Sequence, residues 1–273
     1  MFVIRCERAA FQQWRIGTSF ANPGDVTQVN GGDIAKDLGV VPPTAALPTP
    51  SASVLIAPPG TMVRADAGSQ SSARQAATSV RPSLVRIDVT LPGATGIASG
   101  IVIDQSGNIL TNQHVVDGAQ SIIVTLANGV ALPARVIGVD IPNDLAVVRV
   151  ASGSIGAGVK PATIVGGSKL VAGQSVIGIG FTPYFPSPPA VRLGVYQQTI
   201  SVGINVLVSD TYILPGDSGG MLVDFNGNVV GINDEIRFTQ QSQQPLVGFS
   251  IDAAQALKIG QALIQTAATT GGG

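Results

Sequence analysis

The 273-residue sequence holds one cysteine, Cys6, and one histidine, His114. A lone cysteine forms neither an internal disulfide nor a thiolate cluster, and a lone imidazole rules out metal sites built on two, so zinc fingers and H-E-x-x-H metalloproteases are excluded. Charge is scarce as well: Asp, Glu, Lys and Arg make up 11% of the chain, against about 25% in an average soluble domain. Fifteen basic and sixteen acidic side chains leave a net charge of -1, which offers no field to hold nucleic acid, and no nucleic-acid partner is expected. The opening apolar run, Met1 to Ile4, is broken by Arg5, Glu7 and Arg8, too soon for the apolar core of about 7–15 residues in a secretory signal. The compartment stays open on this evidence. Residues 38–63 carry no charge, but Pro42, Pro43, Pro48, Pro50, Pro58 and Pro59 interrupt them, and no transmembrane segment is expected where proline removes backbone hydrogen bonds that a bilayer cannot replace.

Glycine (34) and proline (18) are plentiful, and hydrophobic residues reach 45%, a composition that favours short strands joined by many turns. Residues 1–80 are Ala-, Ser- and Pro-rich with no sustained period, and are expected to be a poorly ordered leader or linker. From Leu84 the texture changes to β-branched runs punctuated by turn residues. Runs at 84–91, 100–104, 121–126, 134–139 and 145–150, with a strand-like Asn108–Leu110, predict a first barrel over about 84–151. Runs at 162–165, 175–181, 191–200, 204–209, 221–232 and 246–251 predict a second over about 161–252. Ser106-Gly107, Asn128-Gly129 and Asn226-Gly227, each flanked by β-formers, are hairpin turns. A C-terminal helix is expected over about 252–266, capped by Asp252 and apolar along Ala256, Ile259, Leu263 and Ile264, before a disordered Gly tail at 269–273. The fold class read from this pattern is all-β, a pair of barrels filling residues 81–268 with one short terminal helix.

The sharpest local motif is Pro215-Gly216-Asp217-Ser218-Gly219-Gly220. Small residues let the backbone turn tightly and leave the Ser218 hydroxyl beside free amides, the two things acyl transfer needs in one place. A serine becomes nucleophilic only when a base takes its proton, and His114 is the one imidazole available. A carboxylate should accept from His114 Nδ1–H, fixing the tautomer. Asp144, which leads directly into an apolar run, is preferred for this role, with Asp117 and Asp140 as rivals. The N–H groups of Gly216 and Ser218, with Asp217 between them, are the expected oxyanion hole. Chain order discriminates between folds: no histidine follows Ser218, which excludes an α/β-hydrolase, whereas His114, Asp144, Ser218, spaced 30 and 74 residues apart, is the order of the double-barrel serine proteases.

Residues from about 84 to 265 resemble the protease domain of the HtrA/Deg branch of trypsin-like serine peptidases. The resemblance is carried by Gly96–Ile103, Asn108–Val116, Asp144–Val150, Asp210–Gly220 and Gly248–Ile251. It implies two six-stranded antiparallel β-barrels, polypeptide substrates that are unfolded or flexible, a homo-oligomer (a trimer), an exported or envelope location, and no metal or other cofactor. It also implies that Tyr212, Ile213, Ile232 and Phe249 lie near the primary substrate pocket, which then suits small or medium apolar side chains. Two departures stand out. Asp217 occupies a position where this branch usually has asparagine; in the digestive trypsins an aspartate there pairs with a newly cleaved N-terminus. The residues after Ile251 are accounted for by a helix and glycines, so no PDZ domain is expected in this chain. An intact triad is equally compatible with a catalytically silent or latent peptide-binding barrel pair and with a serine esterase.

Overall fold

The computed structural model describes residues 2–5, 13–17, 27–30, 54–56, 67–151, 153, 155–156, 158–183, 185–211, 213–238 and 245–270. Its centre is a pair of antiparallel β-barrels. The first is built from β1 (Leu84–Leu91), β2 (Ala94–Val102), β3 (Asn108–Thr111), β4 (Ser121–Thr125), β5 (Ala131–Asp140) and β6 (Leu145–Val150), closed in the order β6-β3-β2-β1-β4-β5. The second uses β7 (Ser175–Thr182), β8 (Phe185–Ser201), β9 (Asn205–Ser209), β10 (Met221–Val223), β11 (Val229–Phe238) and β12 (Pro245–Asp252), and a β10–β11 pairing closes the ring. Short strands at Phe2–Arg5, Gln13–Gly17 and Thr27–Asn30 continue that sheet beyond β11, and Val54–Ile56 pairs with β8. The expected strand at 162–165 is reduced to a single bridge between Ile164 and Val229, because Pro161 and the Gly166-Gly167 pair leave too few residues to form a ladder.

Alternation explains the barrel interiors. Along β1 the residues Val85, Ile87 and Val89 are buried and share one core with Ala98, Val102, Ile109, Val124, Ala146 and Val148. A second cluster runs between the barrels, joining Leu84, Ile101, Leu110 and Val147 to Ile177, Ile179, Met221, Ile232 and Ile251. One turn chemistry recurs in both barrels. Asp104 Oδ1 accepts the N–H groups of Ser106 and Asn108 in the first, and Asp224 Oδ1 accepts those of Asn226 and Asn228 in the second, the side-chain-to-backbone bonding that makes aspartate a turn former.

Two helices frame the barrels. The terminal one, Ala253–Thr270, begins where Asp252 Oδ1 accepts the Gln255 N–H, as the cap predicts, and runs four residues past the expected end. Leu263 meets Gly138 and Gly260 meets Leu110, so this helix lies against the first barrel although it follows the second. The other helix, α1 (Ala67–Val80), falls in the stretch expected to be a leader. Ala73, Ala76 and Val80, spaced to share one face, are buried in the inter-barrel core. The folded unit therefore starts ahead of residue 81. The short turn of helix that holds the histidine is α2 (Gln113–Val116), and the terminal helix is α3.

Candidate active site

His114 sits one residue into α2, directly beyond β3, and Asp144 closes the turn that opens β6, the strand paired with β3. Their spacing of 30 residues thus collapses to a contact: His114 Nδ1 lies 2.6 Å from Asp144 Oδ2, and the His114 backbone N–H donates to Asp144 Oδ1 at 2.9 Å. Asn112 Nδ2 donates to the Asp144 carbonyl at 3.0 Å, tying the two turns together. Asp144 itself has φ 51, the one non-glycine in the left-handed region among the described residues. Only small polar side chains visit that region at modest cost, and the strain aims the carboxylate back at the imidazole. Burial alone would raise the Asp144 carboxyl, but the hydrogen bond and charge of His114, a hydrogen bond from the Asp234 side chain and the His114 amide together hold it below the ordinary carboxylate range. Asp144 is therefore the carboxylate that orients His114, and its rival Asp140 instead accepts the Asn143 N–H and side-chain amide within its own turn.

Ser218 comes from the second barrel, on the loop between β9 and β10, and is 4% exposed. Gly216 takes φ 91 with its Cα packed so closely that a Cβ would stand 2.5 Å from the Phe181 carbonyl oxygen. Gly219 takes φ 77, and a Cβ there would stand 2.2 Å from the Ser99 carbonyl oxygen. Both glycines are thus required twice, for conformation and for space. Among the described residues no acceptor engages the N–H of Gly216 or Ser218, as an oxyanion hole requires of its donors. The Asp217 N–H is spent on the Leu214 carbonyl and so is not part of that pair. Ser218 Oγ donates to the Asp234 carbonyl at 3.4 Å, and His114 Nε2 is buried without a partner.

The loop is held by groups from both barrels. Ser99 of β2 donates its N–H to the Ser218 carbonyl at 3.0 Å, donates Oγ to the Gly216 carbonyl at 2.8 Å and accepts the Phe181 N–H at 2.8 Å. Thr111 of β3 donates to the Ser99 carbonyl at 2.8 Å. Asn233 of β11 accepts the Gly219 N–H and donates its own N–H to the Gly220 carbonyl. Asp217 turns inward, wholly buried, and its Oδ2 takes the Leu214 N–H at 2.7 Å and Arg192 Nη1 at 2.5 Å. Burial pushes the Asp217 carboxyl up, against the charge of Arg192 and the Leu214 amide, which favour ionisation. The cation that Asp217 needs is therefore supplied from β8, within the folded barrel.

The residues expected around a substrate pocket fall in different places. Ile213 is 3% exposed and lies under Gly248, where a Cβ would stand 2.8 Å from Ile213 Cδ1; Phe249 is the next residue and also buried. Ile232 is fully buried in the inter-barrel core, opposite Met221 and Ile251. Tyr212 lies outside the described residues. His114, Asp144 and Asp234 each present a ligand atom within 4.8 Å of the others, but His114 Nδ1 and Asp144 Oδ2 are spent on one another. No helix among the described residues is long and apolar enough to cross a membrane.

Residues 98–232 match the family model of the trypsin-like peptidase domain. The serine protease PepD of Mycobacterium tuberculosis is 32% identical over 260 residues, covering 82% of this chain and 51% of PepD. A periplasmic DegP-like serine endoprotease of Halomonas elongata is 34% identical over 189 residues, covering 63% of this chain and 37% of the relative. Among solved structures, the HtrA-type protease AlgW with a tripeptide superposes with a TM-score of 0.62 at 28% identity, over 71% of this chain and 64% of that one. The chain thus spans about half or less of the length of these curated relatives. Two six-stranded barrels with His114, Asp144 and Ser218 at their seam thus accompany a match to the trypsin-like peptidase domain over residues 98–232, and the proteins this chain resembles are HtrA/DegP proteases.

Proposed function

We propose that this protein is a serine endopeptidase. The observation that carries the reading is the double grip of Asp144 on His114, through Nδ1 and through the backbone N–H, on the opposite side of the seam from a serine whose loop presents two unengaged amides. With Nδ1–H held by Asp144, Nε2 is left as the basic nitrogen. It takes the Ser218 proton as Oγ attacks the scissile carbonyl carbon, and the new oxyanion is met by the Gly216 and Ser218 N–H groups. Nε2–H then protonates the leaving amine, and water hydrolyses the acyl-enzyme by the same steps in reverse. For this Oγ must leave the Asp234 carbonyl for His114 Nε2, a tightening of the kind that accompanies substrate binding.

Ile213 beneath Gly248, and the absence of an acidic motif residue at that position, support a preference for small or medium apolar side chains at the cleaved residue. The resemblance of the sequence to the HtrA/Deg branch points to unfolded or flexible polypeptides as substrates and to a homotrimer, and the Halomonas elongata relative, named a periplasmic endoprotease, points to export from the cytoplasm. Intact mass after incubation with a fluorophosphonate tests the reading, with casein digestion in parallel. One adduct on the native protein, absent from Ser218→Ala and from heat-denatured protein, together with casein cleavage, is the expected result. An adduct without cleavage of any peptide but with ester turnover would replace the peptidase by an esterase, and no adduct at all would refute both.

A further inference from the structure

Asp234 stands where the three catalytic side chains meet, on β11 just past the Asn233 that anchors the serine loop. Its carbonyl accepts from Ser218 Oγ, its side chain favours the ionised form of Asp144, and its carboxyl oxygen, that of Asp144 and a ring nitrogen of His114 lie within 4.8 Å of one another. Two ionised carboxylates repel at such range, so a carboxyl pair sharing this site keeps one proton, which the acid donates to its ionised neighbour. Asp144 already accepts two N–H donors from His114, and both favour its charged form. The proton therefore belongs to Asp234.

We propose that Asp234 is a positioning residue that serves the triad as a neutral carboxylic acid, donating its O–H to Asp144. In this state it supplies a further donor to the carboxylate that orients His114, and it keeps the charge beside the imidazole at a single negative unit. The titratable groups set against it are His114 from α2 and Asp144 from the turn before β6. On β12 the residues opposite its neighbours Asn233 and Glu235 are Ser250 and Phe249, neither of which titrates. On the far side of Ser218, the charge of Asp217 is met by Arg192. When alkali removes the shared proton, two carboxylates face each other across the bond: Asp144 is pushed off its hydrogen-bonded position, and the second negative charge favours the imidazolium, which cannot act as a base. Activity then declines on the alkaline side for a reason that the triad alone does not supply.

His114 is the only histidine in the sequence, so its ring protons can be followed by NMR without assignment. With a neutral Asp234, Asp234→Asn leaves the midpoint of the imidazole titration within about half a unit of the native value. A charged Asp234 at this distance would lower that midpoint by a unit or more on the same substitution, and that result overturns the proposal. In kinetics, which rest on the hydrolase reading, Asp234→Ala is expected to lower kcat about tenfold with KM little changed. Asp234→Asn, which still donates, restores most of the loss and abolishes the alkaline decline. An alkaline decline that persists unchanged in Asp234→Asn also overturns the proposal. Should the protein turn over no substrate, the NMR titration still decides the protonation of Asp234, while the hydrolase reading fails by itself.

Discussion

The Arg192–Asp217 pair tests whether the serine loop is held by a buried charge. Both side chains are almost sealed from water, Arg192 at 3% and Asp217 at 0% exposure. At 2.5 Å, and with an effective dielectric of about 20, their attraction is about 7 kcal/mol. Taking each ion out of water costs several kcal/mol, so the pair as a whole contributes little net stability, but either charge left alone is costly. Arg192 Nε and Nη2 and Asp217 Oδ1 already lack partners among the described residues, so neither ion has a second group to fall back on. Arg192→Met and Asp217→Asn are each expected to lower the free energy of unfolding by about 3–5 kcal/mol, while the double variant recovers at least about 2 kcal/mol of the sum. Urea unfolding followed by circular dichroism measures all four corners of the cycle.

The pH dependence has a definite sign. Burial raises the folded-state Asp217 carboxyl, and removing Arg192 takes away its main opposing charge. A raised acid binds its proton more tightly when folded, so the stability it allows is present in acid and lost as pH rises through the folded value. The deficit of Arg192→Met should accordingly shrink as pH is lowered from neutral. A single-variant loss below about 1 kcal/mol, or strictly additive losses in the double variant, would refute the reasoning.

Asp144→Asn keeps the shape of the turn but presents an amide to His114 and fixes the wrong tautomer; kcat is expected to fall by about 10³–10⁴. Because the native Asp144 carboxyl is held low, its contribution to stability is present above the ordinary carboxylate range and lost as pH falls through the folded value, and thermal melts of Asp144→Asn across acid pH should lack that component. Ser99→Ala strands the buried Phe181 N–H and the Gly216 carbonyl, with an expected cost of about 1–3 kcal/mol in urea unfolding; an unchanged rate of fluorophosphonate labelling would show that Ser99 does not position the oxyanion loop.

The parts of the site that the sequence reveals are those whose chemistry is local. Gly216, Gly219 and Ser218 declare themselves because a tight turn and a nucleophile share six residues, and Asp144 because it opens an apolar strand. Hairpins at Gly107 and Gly227 are legible for the same reason, since the aspartate that closes each lies within four residues of its partners. Ser99 is not legible: its partners Gly216 and Phe181 are 117 and 82 residues away, and in the sequence it is one small residue in an apolar strand. Arg192 reads as an ordinary strand residue, although a charge inside the apolar run Ala190–Val195 was the available signal. Asp234 is masked by its neighbours Asp-Glu-Ile-Arg, which look like a solvated edge. Helix α1 escapes because its buried face is mostly alanine, and such a face marks a helix only when a core is there to receive it.

The seam between the barrels has a consequence for how the protein is made. His114 and Asp144 belong wholly to the first barrel and Ser218 wholly to the second, and the serine loop takes its shape from Ser99 and Thr111 across the join. A chain with one finished barrel has an oriented imidazole with nothing to activate, or a serine on a loop that lacks its clamp. On the proposed reading the reactive site is complete only once both barrels have docked, so labelling of Ser218 during refolding becomes a clock for the meeting of the two halves.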